Sequence, residues 1–268
     1  MDTIKEIYNF LKTSFRMDLK RSFAYPISFW FTFITIPFYS VVQIAFVESI
    51  FGNTNSFAGY SKYEAYVLFG TFRLIQGLGF FFFYNRLTDL KYLIRGEGEE
   101  TFDSVLLKPI DSQLNGTVGR YNLGNISSVI VGLGIVVYAV TKGNLEVHLI
   151  NVLFYFCVVL MGILFMYISF LIVNTFLFWF DLTESMEGLW ESTQAFGQYP
   201  PSLYHGATGI ILNIIIPVTL MAGVPSNILL GKVSILTFFV YLLIISVLFY
   251  LSRLFWNYAV RRYSSSSS

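Results

Sequence analysis

Long apolar runs, separated by short polar segments, dominate the chain. Lipid hydrocarbon offers no partner to a free backbone N–H or C=O group, so a run that crosses a membrane must be a helix. A helix needs about 20 apolar residues to cross roughly 30 Å of hydrocarbon. Six runs reach about this length, at residues 27–49, 63–84, 122–140, 147–173, 204–222 and 233–255. The pattern predicts an all-α membrane protein with six transmembrane helices.

The fifth run differs from the others because residues that break helices interrupt it. Gly206, Gly209 and Pro217 lie within it, and Gly223 and Pro225 follow it closely. Irregular backbone at membrane depth is tolerated only where it is buried in protein or borders a cavity. We therefore expect a broken or partly re-entrant fifth helix that lies near a transport path.

The distribution of basic residues predicts the orientation of these helices. Of the 17 Lys and Arg residues, 13 precede the first run, lie between the second and third runs, or end the sixth, whereas three lie on the other side. Cytoplasmic loops collect Lys and Arg. Both termini are therefore predicted to be cytoplasmic, with short outer loops at 52–62, 141–146 and 223–232.

The N-terminal segment has the pattern of a helix that lies on a membrane. Apolar residues recur there at helical spacing, at Ile4, Ile7, Leu11, Phe15 and Leu19. Such a helix places its basic side toward anionic headgroups, either as a simple anchor or as a functional elbow. We divide the chain into this amphipathic interfacial helix, residues 1–22, a six-helix transmembrane domain, residues 23–263, and a flexible tail, residues 264–268.

Composition excludes several other classes of protein. A soluble globule that is 55% apolar would lack polar surface to cover its core. A net charge of +1 does not favour binding to nucleic acid. The single Cys157 excludes a disulfide within the chain, and His148 and His205 have no neighbour at metal-ligand spacing. Without a Gly-x-x-x-x-Gly-Lys-Ser/Thr loop, no cofactor is expected, and energy would come from a partner or a gradient.

The loop 85–121 contains a predicted short helix between two breakers. Gly96-Glu97-Gly98 interrupts the continuation of the second run, and Lys108-Pro109 ends a helix that extends from Glu99 to Leu107. Its apolar face consists of Phe102, Val105 and Leu106. Because so small a loop offers this face no partner, it favours a docking element over a solvated surface helix.

The segment 180–203 is predicted to be a second cytoplasmic loop, with an acidic stripe. Its carboxylates lie three to four residues apart along one helix face, at Asp181, Glu184, Glu187 and Glu191. Four such residues suggest either a metal site or ion path, or a solvated helix face. The second interpretation is favoured because no histidine joins them.

A charge inside a predicted transmembrane run is the clearest candidate for function. Arg73 lies near the middle of the second run, where a charge is costly and is usually functional. Other polar residues of the runs complete a candidate translocation path, at Gln43, Glu48, Gln76 and Asn213. Arg73 either forms an internal ion pair with Glu48 or Glu64, or binds an anionic or headgroup-bearing substrate.

Several motifs together resemble a known family. Arg95-Gly96-Glu97, followed by Phe102-Asp103-Ser104-Val105-Leu106-Leu107-Lys108-Pro109-Ile110, resembles the "R-G … D-x-x-L-L-R/K-P-L" loop of a bacterial subfamily of permeases. Gln198-Tyr199-Pro200, Ile216-Pro217 and the Tyr258 to Ser266 ending agree with it. Over its whole length the chain resembles the permease subunit of a type 2 ATP-binding cassette (ABC) exporter.

This resemblance implies a multi-pass protein of the bacterial inner (cytoplasmic) membrane. Two permease subunits, identical or related, would meet a dimer of separate ABC ATPases, which would hold ATP and Mg. The expected coupling residues are Gly96, Glu97, Phe102, Asp103, Val105, Leu106, Leu107 and Pro109. The first, second and fifth spans would line a path for a lipid, glycolipid, peptide or hydrophobic drug. The alternatives are a gradient-driven transporter or channel, and a membrane scaffold that transports nothing.

Overall fold

The computed structural model describes residues 2–97, 100–180 and 183–264, and in this part of the chain there are helices and no β-strand. Most of the predicted tail, residues 265–268, lies outside the described residues. The helices are α1 Asp2–Ala24, α2 Pro26–Phe51, α3 Lys62–Arg95, α4 Phe102–Leu107, α5 Ser112–Thr117, α6 Ile126–Lys142, α7 Leu149–Thr175, α8 Thr183–Ala195, α9 Gly206–Ile215, α10 Gly223–Leu229 and α11 Ile235–Arg262.

Five of these helices are long and apolar enough to cross a membrane: α2, α3, α6, α7 and α11. The prediction of an all-α membrane protein with several spanning helices is confirmed at this level. The lengths of the helices follow from local sequence. Pro26 starts α2, where its missing N–H needs no partner. Ser61 and Glu64 form a capping box at the start of α3, and Gly96 ends that helix in the left-handed conformation (φ 68°).

The long helices run between two ends of one bundle. The hairpin end carries the α2–α3 turn, residues 52–61, and the basic end carries the end of α3 with α4 and α5. α6 runs from the basic end to the hairpin end, where Gly143 packs against Tyr63. α7 returns and is extended by a short turn that brings the Phe178 ring to 5.1 Å from the Phe102 ring of α4.

Both terminal segments of the described chain lie at the basic end. In α1, the Asp18 carboxylate accepts a hydrogen bond from the backbone N–H of Tyr121 at 2.6 Å. In α11, the ring of Trp256 lies 6.0 Å from that of Phe102. The basic loops predicted to share one side of the membrane therefore lie at one end of the bundle.

α8 and residues 196–203 extend from the basic end to the hairpin end. Lys91 of α3 lies 3.5 Å from Glu187 near the start of α8. Farther along, Gln198 accepts a hydrogen bond from Gln43 at 3.0 Å, and Ser202 donates one to the carbonyl of Ala58 at 2.6 Å. The prediction that 180–203 is a loop on one side is therefore wrong.

The acidic stripe explains why hydropathy failed for this segment. Glu187 and Glu191 lower the mean hydropathy of α8, but both have partners on α3. Glu187 pairs with Lys91, and Glu191 accepts a hydrogen bond from the Tyr84 hydroxyl at 3.0 Å. Glu187 is half-buried whereas Glu191 is exposed, so the stripe is a solvated face only in part. Asp181 and the side chain of Glu184 lie outside the described part of the structure.

Residues 204–222, predicted as the fifth span, do not cross the bundle as one helix. α9 ends at Ile216-Pro217, where proline cannot donate the next helical hydrogen bond. A single turn, Val218–Met221, then packs against Gly197, with the Val218 carbonyl 2.8 Å from where a Cβ on that glycine would lie.

The chain then returns to the end from which it came. The side chain of Asn227 in α10 accepts a hydrogen bond from Tyr60, and Lys232 donates one to the Gly59 carbonyl at 3.0 Å. The segment between Ser202 and Lys232 therefore begins and ends at the hairpin end. Its residues 217–226 are buried within the bundle, whereas the isoleucines of α9 are largely exposed, at Ile210, Ile211, Ile214 and Ile215. Hydropathy does not distinguish this mixture from a crossing.

Glycines bring the backbones of α3 and α6 into direct contact. A Cβ on Gly132 of α6 would lie 2.6 Å from the Leu74 nitrogen and 2.7 Å from the Gly70 carbonyl oxygen. A Cβ on Gly77 would lie 2.8 Å from that of Ser128. Small residues of this kind allow helices in a membrane to pack closely. α6 thereby fixes the position of α3.

Substitution of Gly132 tests this contact. We expect Gly132→Ala to lower the free energy of unfolding by about 1–3 kcal/mol, because the backbone of α3 must move. Gly134→Ala is the matched control: nothing lies within 4 Å of its added Cβ, so stability should hold or rise by under about 1 kcal/mol. Thermal unfolding of both purified variants in one detergent measures the difference. Equal melting temperatures would contradict the close contact.

Candidate functional site

A cavity of about 360 Å³ lies among α2, α3, α7 and the α8 segment, by which we mean residues 183–203. Its polar lining consists of Gln43, Arg73, Gln76, Glu191, Gln194 and Gln198, and its aromatic lining consists of Tyr39, Phe72, Phe80 and Trp190. We call it the Arg73 cavity. Glutamine side chains can both donate and accept hydrogen bonds, so this lining can satisfy polar groups within an otherwise apolar bundle.

Among the residues that the structure describes, two glutamines and no carboxylate hold Arg73. Its Nη1 donates to Gln76 Oε1 at 3.0 Å, and its Nη2 donates to Gln43 Oε1. Gln43 in turn donates through Nε2 to Gln198 Oε1 at 3.0 Å. Because both glutamine carbonyls accept from the guanidinium, the amide network is oriented by the charge of Arg73.

The guanidinium keeps an unused donor. Its Nε is buried and has no hydrogen-bond partner. Nor does any carboxylate among the described residues lie within the 4.0 Å ion-pair distance of Arg73. No carboxylate in the described part of the chain therefore neutralises the positive charge of Arg73.

The internal ion pair considered for Arg73 is absent because both candidate acids have partners at the hairpin end. Glu48 lies 2.6 Å from Lys62 and accepts a hydrogen bond from Tyr66. Glu64 lies 2.9 Å from Lys232. The interpretation of Arg73 as half of a Glu48 or Glu64 pair is wrong.

The structure brings together three of the five residues predicted for the translocation path. Gln43, Arg73 and Gln76 line one cavity. Glu48 lies at the hairpin end in its pair with Lys62. Asn213 lies in α9, where its side chain donates to the Gly209 carbonyl at 2.8 Å.

The α8 wall of the cavity was missed by the sequence analysis. Ser169 of α7 accepts hydrogen bonds from Trp190 Nε1 at 3.0 Å and from Gln194 Nε2 at 3.1 Å. The Gln194 carbonyl oxygen is buried without a partner. Trp190, Gln194 and Gln198 are spaced by four residues, which places them on one helix face. This four-residue spacing is typical of one face of a helix. The prediction of a loop at 180–203 left it unused.

The predicted coupling residues form a second candidate site, at the basic end. Thr101 caps α4 by accepting a hydrogen bond from the Ser104 N–H at 3.4 Å. Phe102 and Val105 are fully buried, and the Phe102 ring lies 4.9 Å from that of Tyr263 and 5.1 Å from that of Phe178. Their apolar side therefore has partners within the chain.

The other side of α4 is open. Leu107 is 85% exposed and Leu106 is 39% exposed. Gly96, Glu97 and Pro109 are also exposed, and Asp103 is half-buried. The eight predicted coupling residues thus divide into a buried pair that anchors α4 and an accessible group that a partner can reach.

Four further residues brace this site. Glu100 accepts hydrogen bonds from Arg86 and Lys108, both at 2.8 Å. The side chain of Asn115 in α5 donates to the Val105 carbonyl at 2.9 Å, and the backbone carbonyl of Asn115 accepts from Arg86 at 3.2 Å. Burial alone would raise the pKa of Glu100, but the hydrogen bonds from Arg86 and Lys108 outweigh it and lower that pKa below its ordinary value of 4.5. Glu100 is therefore a carboxylate at neutral pH.

The division of α4 predicts opposite results for two alanine variants. Phe102→Ala should lower the free energy of unfolding by about 3–5 kcal/mol, because it leaves a cavity among Phe178, Trp256 and Tyr263. Leu107→Ala should change it by less than about 0.5 kcal/mol. Thermal unfolding in detergent measures both. A larger loss from Leu107→Ala would show that this leucine is packed within the chain.

One comparison with known proteins places the chain in context. A family model described as "ABC-2 family transporter protein" matches residues 38–267, which include the Arg73 cavity and α4. Neither the curated proteins nor the solved structures contain a match to the chain.

Proposed function

This chain belongs to the ABC-2 family of transporter proteins, and we propose that it is the transmembrane permease subunit of an ATP-driven exporter. Permeases of this family are membrane components and are not themselves catalytic. ATP and Mg would bind to a separate ATPase dimer. The exposed leucine pair on α4, held on a rigidly packed helix, is the observation that carries the proposal.

The proposed topology has six crossings with the basic end in the cytoplasm. Five are the long apolar helices, and the α8 segment, residues 183–203, supplies the fifth crossing in chain order. The concentration of Lys and Arg at the basic end supports this orientation. α1 would lie on the cytoplasmic surface of what we propose is a bacterial inner membrane, and α9 and α10 would form a re-entrant pair on the outer side.

Coupling would pass through α4. Leu106 and Leu107 would insert into a groove of the ATPase, and Phe102 would transmit its movement to α7 and α11. The contacts of Phe102 with Phe178 and Trp256 support this route, because α4 cannot move independently of those helices while its ring stays packed. The hydrogen bonds of Glu100 and Asn115 likewise prevent α4 from moving independently of its neighbours.

The path would lie among α2, α3 and the α8 segment. The Arg73 cavity occupies that position, and it is lined by both aromatic and polar groups. Among the residues of α2 only Ser40 is buried, so most of this apolar helix is available to lipid or to a second permease subunit. These features support export of a hydrophobic or amphipathic substrate from the cytoplasm or the inner leaflet.

A pull-down tests the coupling proposal. From mild detergent extracts, the wild-type chain should retain a soluble protein with a Walker phosphate-binding loop. Leu106→Asp combined with Leu107→Asp should lose it, because two carboxylates would have to be buried in an apolar groove. Since both leucines are exposed, the variant should keep the melting temperature of the wild type.

Asn53→Asp combined with Asn55→Asp is the charge-matched control, since both asparagines are exposed at the hairpin end. This variant should retain the ATPase. If neither the wild type nor the control retains an ATPase, the exporter proposal fails. Flux in vesicles that contain only this chain would then favour the alternative, a gradient-driven transporter or channel.

A further inference from the structure

We propose that the Arg73 cavity binds the single anionic group of an amphipathic substrate, through the Arg73 guanidinium. The inference rests on the proposed export function and specifies the chemical class of substrate. The first observation is the positive charge of Arg73. A guanidinium stays protonated in proteins, and a buried charge without a counter-ion is costly. The described residues offer Arg73 two neutral amide oxygens and the face of the Phe69 ring, 5.5 Å away, but no carboxylate.

The geometry of the guanidinium suits an oxyanion. Arginine presents its donors in a planar fork that matches carboxylate or phosphate oxygens in pairs. Gln76 and Gln43 each occupy one terminal nitrogen, and the buried Nε has no acceptor. An anionic group in the cavity would supply both the missing acceptor and the missing charge, which no further glutamine could do.

The rest of the lining points to an amphipathic molecule. Tyr39, Phe72, Phe80 and Trp190 give the cavity an apolar wall beside the guanidinium. Its volume of about 360 Å³ lies within the ~300–1,000 Å³ range of small-molecule pockets. Tyr39 is 60% exposed at the α2 side, so an acyl or aryl chain can continue from the cavity along that helix.

Glu191 restricts the charge of the substrate. It lines the same cavity, accepts a hydrogen bond from Tyr84 at 3.0 Å and does not pair with Arg73. A second negative group near Glu191 would meet like charge, which disfavours binding. The site therefore suits one anionic group at Arg73, with neutral or apolar parts elsewhere.

The test measures binding of tritiated dodecyl phosphate to the whole purified chain in dodecyl maltoside, by scintillation proximity. The wild type and Arg261→Gln, an exposed arginine at the end of α11, should bind it saturably and alike. Arg73→Gln should lose affinity by about ten- to hundredfold, as expected for loss of charged hydrogen bonds. Equal binding to wild type and Arg73→Gln would overturn the proposal.

A second variant keeps Arg73 and supplies its counter-ion. Gln76→Glu places a carboxylate where the amide oxygen now lies, 3.0 Å from Nη1. It should raise the melting temperature and remove dodecyl phosphate binding. A raised melting temperature with unchanged binding would overturn the proposal, because Arg73 would then have a structural role alone. This variant also remains informative if Arg73→Gln does not fold.

Competition between ligands identifies the chemical class of molecule that the Arg73 cavity binds. Unlabelled dodecyl phosphate should displace the probe, whereas dodecyltrimethylammonium and inorganic phosphate should not. Displacement by the ammonium compound would overturn the anionic assignment. Displacement by inorganic phosphate at the same concentration would overturn the amphipathic assignment in favour of a free anion. This binding assay needs no ATPase. An absence of dodecyl phosphate binding would therefore leave the pull-down result unchanged, and a failed pull-down would leave the binding result unchanged.

Discussion

The close contact between α3 and α6 is the interaction on which both candidate sites depend. Gly70, Gly77 and Gly132 let the two backbones touch, and the Ser128 hydroxyl donates to the Arg73 carbonyl oxygen at 2.9 Å across the contact. α3 carries Arg73 in its interior and Arg86 near the basic end. A helix fixed against its neighbour can hold a charge in one cavity and brace α4 at the same time.

The second constraint is that polar groups inside an apolar bundle need partners there. The α8 segment satisfies much of it: Glu187 pairs with Lys91, and Ser169 accepts hydrogen bonds from Trp190 and Gln194. Arg73 differs from Glu187 because no carboxylate among the described residues lies within ion-pair distance and its Nε has no acceptor. The buried carbonyl oxygen of Gln194 also lacks a partner, but it carries no charge. The unpaired charge of Arg73 therefore favours a ligand over a packing role alone.

Sequence reasoning predicted the parts of the fold that depend on local pattern. Five apolar helices, the short helix before Lys108-Pro109 and the clustering of basic loops follow from run length, breakers and charge. It failed where contacts between distant parts of the chain determine the path of a segment. Hydropathy averages over all faces of a helix, so Glu187 and Glu191 hid α8. The apolar residues of 204–222 were counted as a span, although their glycines and Pro217 indicated a break.

The same limits apply to the sites. Arg73, Gln43 and Gln76 could be named because they are polar residues in apolar runs, but their mutual contacts could not. Glu48 is likewise a polar residue in an apolar run, but it pairs with Lys62 at the hairpin end and does not line the cavity. The apolar face of α4 was visible, whereas the burial of Phe102 and the exposure of Leu107 depend on α7, α11 and the residues after them, far along the chain.

Site-specific cross-linking tests the central claim, that α4 delivers the force of a separate ATPase to this chain. With Cys157 replaced by serine, Leu107→Cys would be the one cysteine of the chain, and Val105→Cys would provide the buried control with little change in volume. In native membranes, a short bifunctional thiol reagent should join the Leu107→Cys chain to an ATPase and leave the Val105→Cys chain unlinked. Transport activity without any cross-link at position 107 would contradict the account.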